Sequence, residues 1–343
     1  MTERRAAIAG TGLIGASIGL GLVEAGWQVA GWDPDDRVKS DAREIGALST
    51  TSISLADLVA SEPDLLILAG PIEAVIATLG QLDTDVLTVD VAGVKQPVVA
   101  AASHLSRFVG THPMAGREIS GPRAASIGLF RGAAWVVTTD GAAMGDLEEL
   151  EPILESLGAR PVRMTAAEHD AAVAKISHLP QLLAGALLST VAGDPQALAL
   201  AAGSFRDLTR VAASDPVPWV GLLNANRAEV LSAATALRAE LDRLAGELNT
   251  GDRDLLEPFL IDAQRRRKEL APPVVAVRVA IADQPGELAK VGRSLEASAV
   301  DVRDLQLRHA PYGGGGVLTL AVRPGDAETL RAALRREGLI VAD

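Results

Sequence analysis

A glycine-rich turn near the N-terminus constrains the fold of this chain more than any other feature. The segment Gly10-Thr11-Gly12-Leu13-Ile14-Gly15 follows the apolar run Arg5–Ala9 and opens a stretch of helical length. In such a G-x-G-x-x-G turn the first glycine permits the tight turn, the second lets the backbone approach a pyrophosphate, and the third lets helix and strand pack closely. The segment therefore predicts a dinucleotide site contacted by the whole turn, Leu13 and Ile14 included. The alternative is a glycine-rich turn with no ligand.

An acidic residue follows at the spacing expected of such a site. Asp33 lies 18 residues beyond Gly15, at the end of the strand candidate Gln28–Trp32. A carboxylate there bonds a ribose 2′-hydroxyl and repels a 2′-phosphate. This favours NAD over NADP as the cofactor, although the nearby Arg37 weakens the distinction.

The chain divides into three blocks by its pattern of apolar residues. Between residues 4 and 165, strand candidates alternate with helical stretches, which indicates an α/β domain with a mostly parallel sheet. The strand candidates are Arg5–Ala9, Gln28–Trp32, Asp64–Ala69, Val86–Val91, Phe108–Gly110, Ala134–Thr139 and Pro161–Met164. We predict domains at 1–165, 166–270 and 274–343.

The second block shows helical patterns alone. Thr165 and Glu168 form a T-x-x-E capping box, Pro180 is expected to kink the helix that follows, and further helices are predicted over Pro218–Leu248 and Asp252–Leu270. Beyond the rigid segment at 271–273 the order becomes β-α-β-β-α-β, which is ferredoxin-like. Gly313–Gly316 is expected to form a hairpin loop within this last block.

Composition excludes several classes of protein. The 343 residues have a net charge of −12, which disfavours a nucleic-acid partner. The absence of cysteine excludes disulfides, thiolate metal sites and a cysteine nucleophile, and only five histidines make a metal centre unexpected. Glycines interrupt the apolar N-terminus and no apolar run of about 18 residues occurs, so neither a signal peptide nor a membrane span is predicted. We expect a soluble cytoplasmic protein.

His112 is the strongest candidate for a catalytic group. It follows the apolar segment Phe108–Gly110 and precedes Pro113, at the carboxyl end of the sheet where doubly wound folds bind ligands. A neutral imidazole can take a hydroxyl proton near pH 7. The alternative is a hydrogen-bonded structural histidine.

Beyond the glycine-rich turn, the sequence resembles the prephenate/arogenate dehydrogenase family. The matching segments are GTGLIGASIG, VDVAGVK, GTHPMAGREISG, EHDAAVAKISHLP and GSFRDLTRVAASDPVPW, in family order from residue 8 to 219. The tail from Val275, with ADQPGELAKV, resembles an ACT domain. The resemblance implies a Rossmann-like NAD-binding domain, an all-α substrate and dimerisation domain, and a C-terminal ferredoxin-like ACT domain.

The activity that this resemblance implies is NAD-dependent oxidative decarboxylation of prephenate to 4-hydroxyphenylpyruvate in tyrosine biosynthesis. Arogenate, with an amino group in place of the side-chain ketone, is the alternative substrate. A hydroxyacid dehydrogenase with a helical second domain is a looser alternative. A non-catalytic regulator that senses an amino acid represents a different class.

The resemblance also assigns site residues. His112 would bond the ring hydroxyl of the substrate, Arg210 would hold a carboxylate with Asp207 orienting it, and Glu118 would line or gate the pocket. His178 is a further substrate-binding candidate, with a core histidine as the alternative. Two positions depart from the family pattern: Gln181 where a second histidine is frequent, and Gly93 where a serine is usual beside the nicotinamide. His169 and Asp170 are expected to be structural.

The tail is predicted to bind a regulatory amino acid, with tyrosine as the first candidate effector. Asp283 suits an ammonium group, Pro285 fixes the turn, and Gly286 lets a ligand approach the backbone at the start of a helix. Domains of this kind pair side by side, and the ligand would lie between two copies. The Ala-rich helices of residues 166–270 are expected to form a homodimer interface.

Overall fold

The amino-terminal part of the chain is built on a parallel sheet. The computed structural model of the chain describes residues 4–116, 119–251, 253–270, 274–309 and 315–342. The first sheet contains β1 (Arg5–Ala9), β2 (Gln28–Trp32), β3 (Thr50–Thr51), β4 (Leu65–Leu68), β5 (Leu87–Asp90) and β6 (Phe108–Val109). The helices between them are α1 (Leu13–Glu24), α2 (Asp36–Glu44), α3 (Leu55–Ala60), α4 (Ile72–Leu79) and α5 (Gln96–Ala101).

The strand order is β3-β2-β1-β4-β5-β6, and neighbouring strands run parallel. Both faces of the sheet are covered, because Ala6 and Ile8 of β1 enter one apolar core while Ala7 and Ala9 enter another. The chain reverses its direction of winding between β1 and β4, and a crevice opens there at the carboxyl ends of the strands. The predicted Rossmann-like arrangement is confirmed.

A second, smaller sheet follows, and it corrects the prediction of a single sheet. It contains β7 (Thr111–Pro113), β8 (Ala134–Thr138) and β9 (Arg160–Met164), with α6 (Met144–Ser156) between the last two. His112 therefore lies within a strand, paired antiparallel with Val136, rather than in the segment after one. The chain changes sheet at Gly110, where a Cβ atom would lie 2.8 Å from Thr138 Oγ1. This close approach leaves no room for a side chain at the crossing.

The segment after β9 is helical, as predicted. Its helices are α7 (Ala166–Val173), α8 (Leu179–Thr190), α9 (Pro195–Ala199), α10 (Gly203–Thr209), α11 (Pro216–Ala225), α12 (Arg227–Thr250) and α13 (Arg253–Glu269). The predicted capping box is present, with Thr165 and Glu168 each bonding the backbone of the other. A π-helix at Ala174–His178 joins α7 to α8 immediately before Pro180, which has no N–H to donate.

The prediction of one continuous helix over Pro218–Leu248 is wrong. The helix ends at Ala225 and a new one begins at Arg227, because Asn226 leaves helical geometry and turns its side chain inward. Its amide donates to the carbonyl oxygen of Asp170 at 2.8 Å. Asparagine favours such side-chain to backbone bonds over a continuing helix.

Residues Ala166–Thr190 are long and apolar enough to cross a membrane by length and composition alone, with 22% of the apolar window buried. The sequence criterion of an uninterrupted apolar run did not detect this stretch. A helix that packs against a second copy of a chain has the same properties. In α8 most of the leucines are exposed, including Leu182, Leu183 and Leu188.

The chain forms two compact units, Met1–Ala239 and Glu240–Asp343. In the second unit, β10 (Val275–Ile281), α14 (Glu287–Ser298), β11 (Val302–His309), β12 (Gly316–Val322), α15 (Ala327–Arg336) and β13 (Ile340–Ala342) follow one another. The strands form an antiparallel sheet in the order β11-β12-β10-β13. The β-α-β-β-α-β order matches the prediction. The predicted linker at 271–273 and most of the predicted hairpin loop lie outside the described residues.

Candidate active site

The glycine-rich turn leaves a space of the kind that a pyrophosphate requires. Gly10 has a φ of +95°, and a Cβ atom on it would lie 2.6 Å from the carbonyl carbon of Ala69. A Cβ atom on Gly15 would lie 1.9 Å from the carbonyl oxygen of Gly10. Around Gly12, in contrast, a Cβ atom would meet nothing within 4 Å. Gly10 and Gly15 thus serve the fold, whereas Gly12 keeps open the space at the N-terminus of α1.

Asp33 lies at the end of β2 with its carboxylate held in place. One oxygen accepts a hydrogen bond from the Thr11 N–H at 2.8 Å, and the other accepts from the Asp35 N–H at 3.0 Å. A cleft of about 370 Å³ is lined by Asp33 together with Gly10 and Gly12 of the turn. Its lining includes Gly10, Gly12, Trp32, Asp33, Gly70 and Pro71. The backbone N–H groups at the start of α1 and the open space beside Gly12 fit a dinucleotide whose ribose hydroxyls reach Asp33.

A buried ion pair anchors the strand of His112. Lys95 is completely buried, and its ammonium donates to the Asp90 carboxylate and to the carbonyl oxygen of Thr111. The Thr111 hydroxyl in turn accepts from Trp135 Nε1 at 3.0 Å. Burial raises the pKa of Asp90 and lowers the pKa of Lys95, and the contact between the two groups opposes both shifts. These bonds fix the backbone next to His112.

His112 belongs to a chain of three side chains. Its Nδ1 atom lies 2.9 Å from Nε2 of His169, and Nδ1 of His169 lies 2.7 Å from the Asp170 carboxylate. The pKa of His112 lies well below the usual histidine range, mainly because the ring is desolvated and further because His169, Lys95 and His178 surround it. His112 is therefore neutral near pH 7, as a general base must be.

Asp170 connects these three hydrogen-bonded side chains to the segment after β5. Its two carboxylate oxygens accept from the backbone N–H groups of Lys95 and Gln96, at 2.7 and 2.8 Å. Both His169 and Asp170 are 1% exposed. The first helix of the helical segment is thereby bound to the first turn of α5 through a single carboxylate.

His178 ends the π-helix and is buried. Asn226 approaches its Nδ1 atom at 3.2 Å, and Trp219 packs edge-on at 6.2 Å between ring centres. Burial lowers the pKa of His178. With Nδ1 accepting from the Asn226 amide, the neutral ring holds its hydrogen on Nε2. The core histidine considered as an alternative agrees with this burial.

Gly93 lies directly against His112. A Cβ atom at this position would be 3.7 Å from both Nε2 and Cε1 of His112, and 3.1 Å from the end of the Leu222 side chain. A serine hydroxyl at residue 93 would therefore reach Nε2. Glycine supplies no such hydroxyl, and the end of the Leu222 side chain lies next to the backbone there.

The remaining predicted substrate-binding residues have no described hydrogen bond to His112 or to its partners. Gln181 is in the first turn of α8, and its Oε1 atom is buried without a hydrogen-bond partner among the residues described. Asp207 lies in α10, and Arg210 opens a 3₁₀ turn that packs against α8. Both are exposed in the single chain. Glu118 lies outside the described residues.

The predicted regulatory residues form the turn between β10 and α14. Asp283, Pro285 and Gly286 are exposed, and Gly286 caps α14 with a φ of +94°, a conformation that favours glycine. A Cβ atom on Gly286 would meet nothing within 4 Å. The turn therefore has the open backbone that a small ligand would need.

Three buried polar residues of the site were not among the predicted site residues, and each is placed by contacts between distant segments. From sequence, His169 and Asp170 are expected to be structural, and Asn226 falls inside one predicted helix. The adjacent pair of a histidine and an aspartate at the start of a helix was the available signal. Their meaning depends on α7 packing against β7 and α5, which local sequence does not reveal.

Comparison with known proteins places this site in a family. The family model "Prephenate dehydrogenase, nucleotide-binding domain" matches residues 18–163, and "Prephenate dehydrogenase, dimerization domain" matches residues 165–261. The prephenate dehydrogenase of Lactococcus lactis subsp. cremoris is 31% identical over 308 residues, which cover 83% of this chain and 84% of that protein.

Two solved structures share the architecture of most of the chain. Arogenate dehydrogenase from Synechocystis is 29% identical with a TM-score of 0.70, covering 78% of this chain and 100% of that one. Prephenate dehydrogenase from A. aeolicus, in complex with hydroxyphenyl propionate and NAD+, is 26% identical with a TM-score of 0.73, covering 79% and 99%. On these matches, the chain belongs to the prephenate dehydrogenase family.

Proposed function

We propose that this protein is an NAD-dependent prephenate dehydrogenase that converts prephenate to 4-hydroxyphenylpyruvate and CO2. The observation that supports this most is the neutral His112, whose Nδ1 contacts His169 and whose Nε2 lies next to Gly93. His112 follows the carboxyl end of β6, and the dinucleotide cleft lies at the carboxyl ends of β1 and β4 of the same parallel sheet. Family membership supports the same assignment.

The cofactor site is formed by residues of the first βαβ unit. The N–H groups at the start of α1 would hold the pyrophosphate, and the Asp33 carboxylate would accept from a ribose hydroxyl and disfavour NADP. Leu13 and Ile14 form the first turn of that helix, and Gly93, next to His112, would contact the nicotinamide. Bound NAD supplies the hydride acceptor.

His112 would drive the reaction from the hydroxyl end of the substrate. Its Nε2 takes the proton of the ring hydroxyl while a hydride leaves the ring carbon that bears this hydroxyl. The bond between the ring and its carboxylate then breaks and CO2 departs. The electron pair of the broken bond completes the aromatic ring. The imidazolium then returns the proton to the phenolate oxygen. Aromatisation supplies the driving force, and the enzyme has to position the hydroxyl and its base.

The substrate is a dianion and requires cationic partners. We assign carboxylate binding to Arg210, whose guanidinium can hold a carboxylate through two bonds, with Asp207 orienting it. The buried Oε1 of Gln181 and the Nε2–H of His178 would face the remaining polar groups of the substrate. Glu118, which lies outside the described residues, is assigned the predicted role of lining or gating the pocket.

Arogenate is the second candidate substrate, favoured by the likeness to an arogenate dehydrogenase. The amide of Gln181 suits an amine or a ketone equally. NADH formation from purified protein with prephenate, and then with arogenate, distinguishes the two substrates. Absence of turnover with either would favour a hydroxyacid dehydrogenase or a non-catalytic regulator.

We infer that the helical segment forms a homodimer. Most leucines of α8 are exposed in the single chain, and the family model covering residues 165–261 describes a dimerisation domain. Burial of these side chains against a second copy would remove a large apolar surface from water. A dimer mass by light scattering at micromolar concentration is expected, whereas a monomer mass would contradict it.

We further propose that residues 274–343 form a ferredoxin-like ACT domain that binds an amino acid, with tyrosine the first candidate. The antiparallel sheet order β11-β12-β10-β13 and the open turn at Gly286 support this. The backbone N–H groups at the start of α14 suit a carboxylate, and Asp283 suits an ammonium group. Inhibition requires that the ligand bind a less active arrangement more tightly.

A further inference from the structure

We propose that His169 and Asp170 are positioning residues that hold His112 in the one tautomer able to act as a base at Nε2. This inference rests on the proposed function for the role of His112. It assigns a purpose to two buried polar residues that the family resemblance left as structural. Neither residue would touch the substrate.

The hydrogen-bond pattern determines where each proton lies. An ionised carboxylate only accepts hydrogen bonds, so the Asp170 carboxylate requires a hydrogen on Nδ1 of His169 at 2.7 Å. A neutral His169 then presents an unprotonated Nε2. That nitrogen accepts from Nδ1 of His112 at 2.9 Å, so His112 has its hydrogen on Nδ1 and a free electron pair on Nε2.

The nitrogen that bears the free electron pair lies next to Gly93. Nε2 of His112 lies 3.7 Å from where a Cβ atom of Gly93 would be. The opposite tautomer would place a hydrogen on Nε2 and could not accept the hydroxyl proton. When His112 becomes cationic, its Nδ1–H bond to His169 persists and becomes charge-assisted, which stabilises the intermediate imidazolium.

Asp170 also fixes the position of the hydrogen-bonded row of His112, His169 and Asp170, called the relay below. The same carboxylate binds the N–H groups of Lys95 and Gln96, and the Lys95 ammonium holds the carbonyl of Thr111, the residue before His112. The base is thus fixed through its ring and through its backbone by one connected set of bonds. Buried histidine and aspartate side chains are tolerated here because each is fully hydrogen-bonded.

The test compares wild type with His169→Leu and His169→Gln in the full chain. A glutamine can place its carbonyl oxygen near the position of Nε2 and still accept from His112, whereas leucine cannot. His104→Leu is the matched control, since His104 bonds only the Leu82 carbonyl among the contacts described for it. Nitrogen NMR of labelled histidine reports the tautomer directly, and the chain has only five histidines to assign.

We expect the Nδ1–H form of His112 in wild type, its loss in His169→Leu and its retention in His169→Gln. With prephenate, kcat should fall roughly 10²-fold in His169→Leu with little change in KM, and return to within about tenfold of wild type in His169→Gln. An Nε2–H form in wild type, or an unchanged tautomer in His169→Leu, would overturn the proposal. If His169→Leu does not fold, the wild-type and His169→Gln spectra decide. The spectra need no turnover, so they test the relay even where the proposed activity is absent.

Discussion

The Nδ1 atom of His112 and the Nε2 atom of His169 lie 2.9 Å apart, with the two rings edge to face at 81°. The first residue belongs to a strand of the small second sheet and the second to the helix that opens the helical segment. The candidate base therefore depends on the packing of these two parts against each other. Substitutions that disturb the contact between β7 and α7 should therefore lower kcat more than they weaken NAD binding.

Two glycines of the N-terminal turn should respond differently to alanine. Gly12→Ala should fold with unchanged stability but weaken NAD binding, because its Cβ atom would enter the open space beside α1. Gly15→Ala should lower the free energy of unfolding by about 1–3 kcal/mol, because its Cβ atom would overlap the Gly10 carbonyl oxygen. Urea unfolding and NAD titration measure the two effects. Equal stability losses in both variants would refute this division of roles.

Arg210→Ala should mainly raise KM for prephenate. A carboxylate clamp contributes to binding in the ground state and the transition state alike, so kcat should change little. Steady-state kinetics measure both constants, and Arg206→Ala, one helical turn earlier in an exposed position, is the matched control. An unchanged KM would assign Arg210 to structure.

Stability should fall as the pH is lowered below about 6.5. Burial depresses the pKa of His112 and of His178 from the ordinary value of 6.5, so the unfolded chain binds more protons than the folded chain as pH falls through this range. Each group can contribute a slope of up to about 1.4 kcal/mol per pH unit until its folded-state pKa is passed. Urea midpoints across this range should vary less in His178→Gln than in wild type. The same pH dependence in both proteins would show that His178 is not responsible.

The sequence predicted the parts of the fold that depend on local pattern. The bounds of β1 and β2 were predicted residue for residue, and the capping box at Thr165 and Glu168 is present. The separate strand Thr111–Pro113 and the helix break at Asn226 were missed, because partners distant in sequence decide both. His112 was predicted from its local sequence context. Its contact with His169 was not predicted, because it depends on the packing of α7 against β7.

Tyrosine inhibition should depend on the C-terminal tail. A chain that ends at Leu270 should lose inhibition by tyrosine, while the full chain retains it, because the ligand would bind at the turn of Asp283 and Gly286. Gly286→Val in the full chain is a milder test, since it strains a left-handed residue and fills the open turn. Equal inhibition of the full and the shortened chain would place tyrosine at the active site instead.

The turnover of His112→Asn with prephenate tests the central claim most directly. Asparagine keeps a polar side chain in the strand but cannot take a proton, so the variant should fold and bind NAD. Its kcat should fall by about 10²–10⁴-fold, the usual contribution of a general acid–base group. His104→Asn, measured alongside, should remain near wild type. A His112→Asn variant that turns over prephenate within a few-fold of wild type would contradict the assignment of His112 as the base.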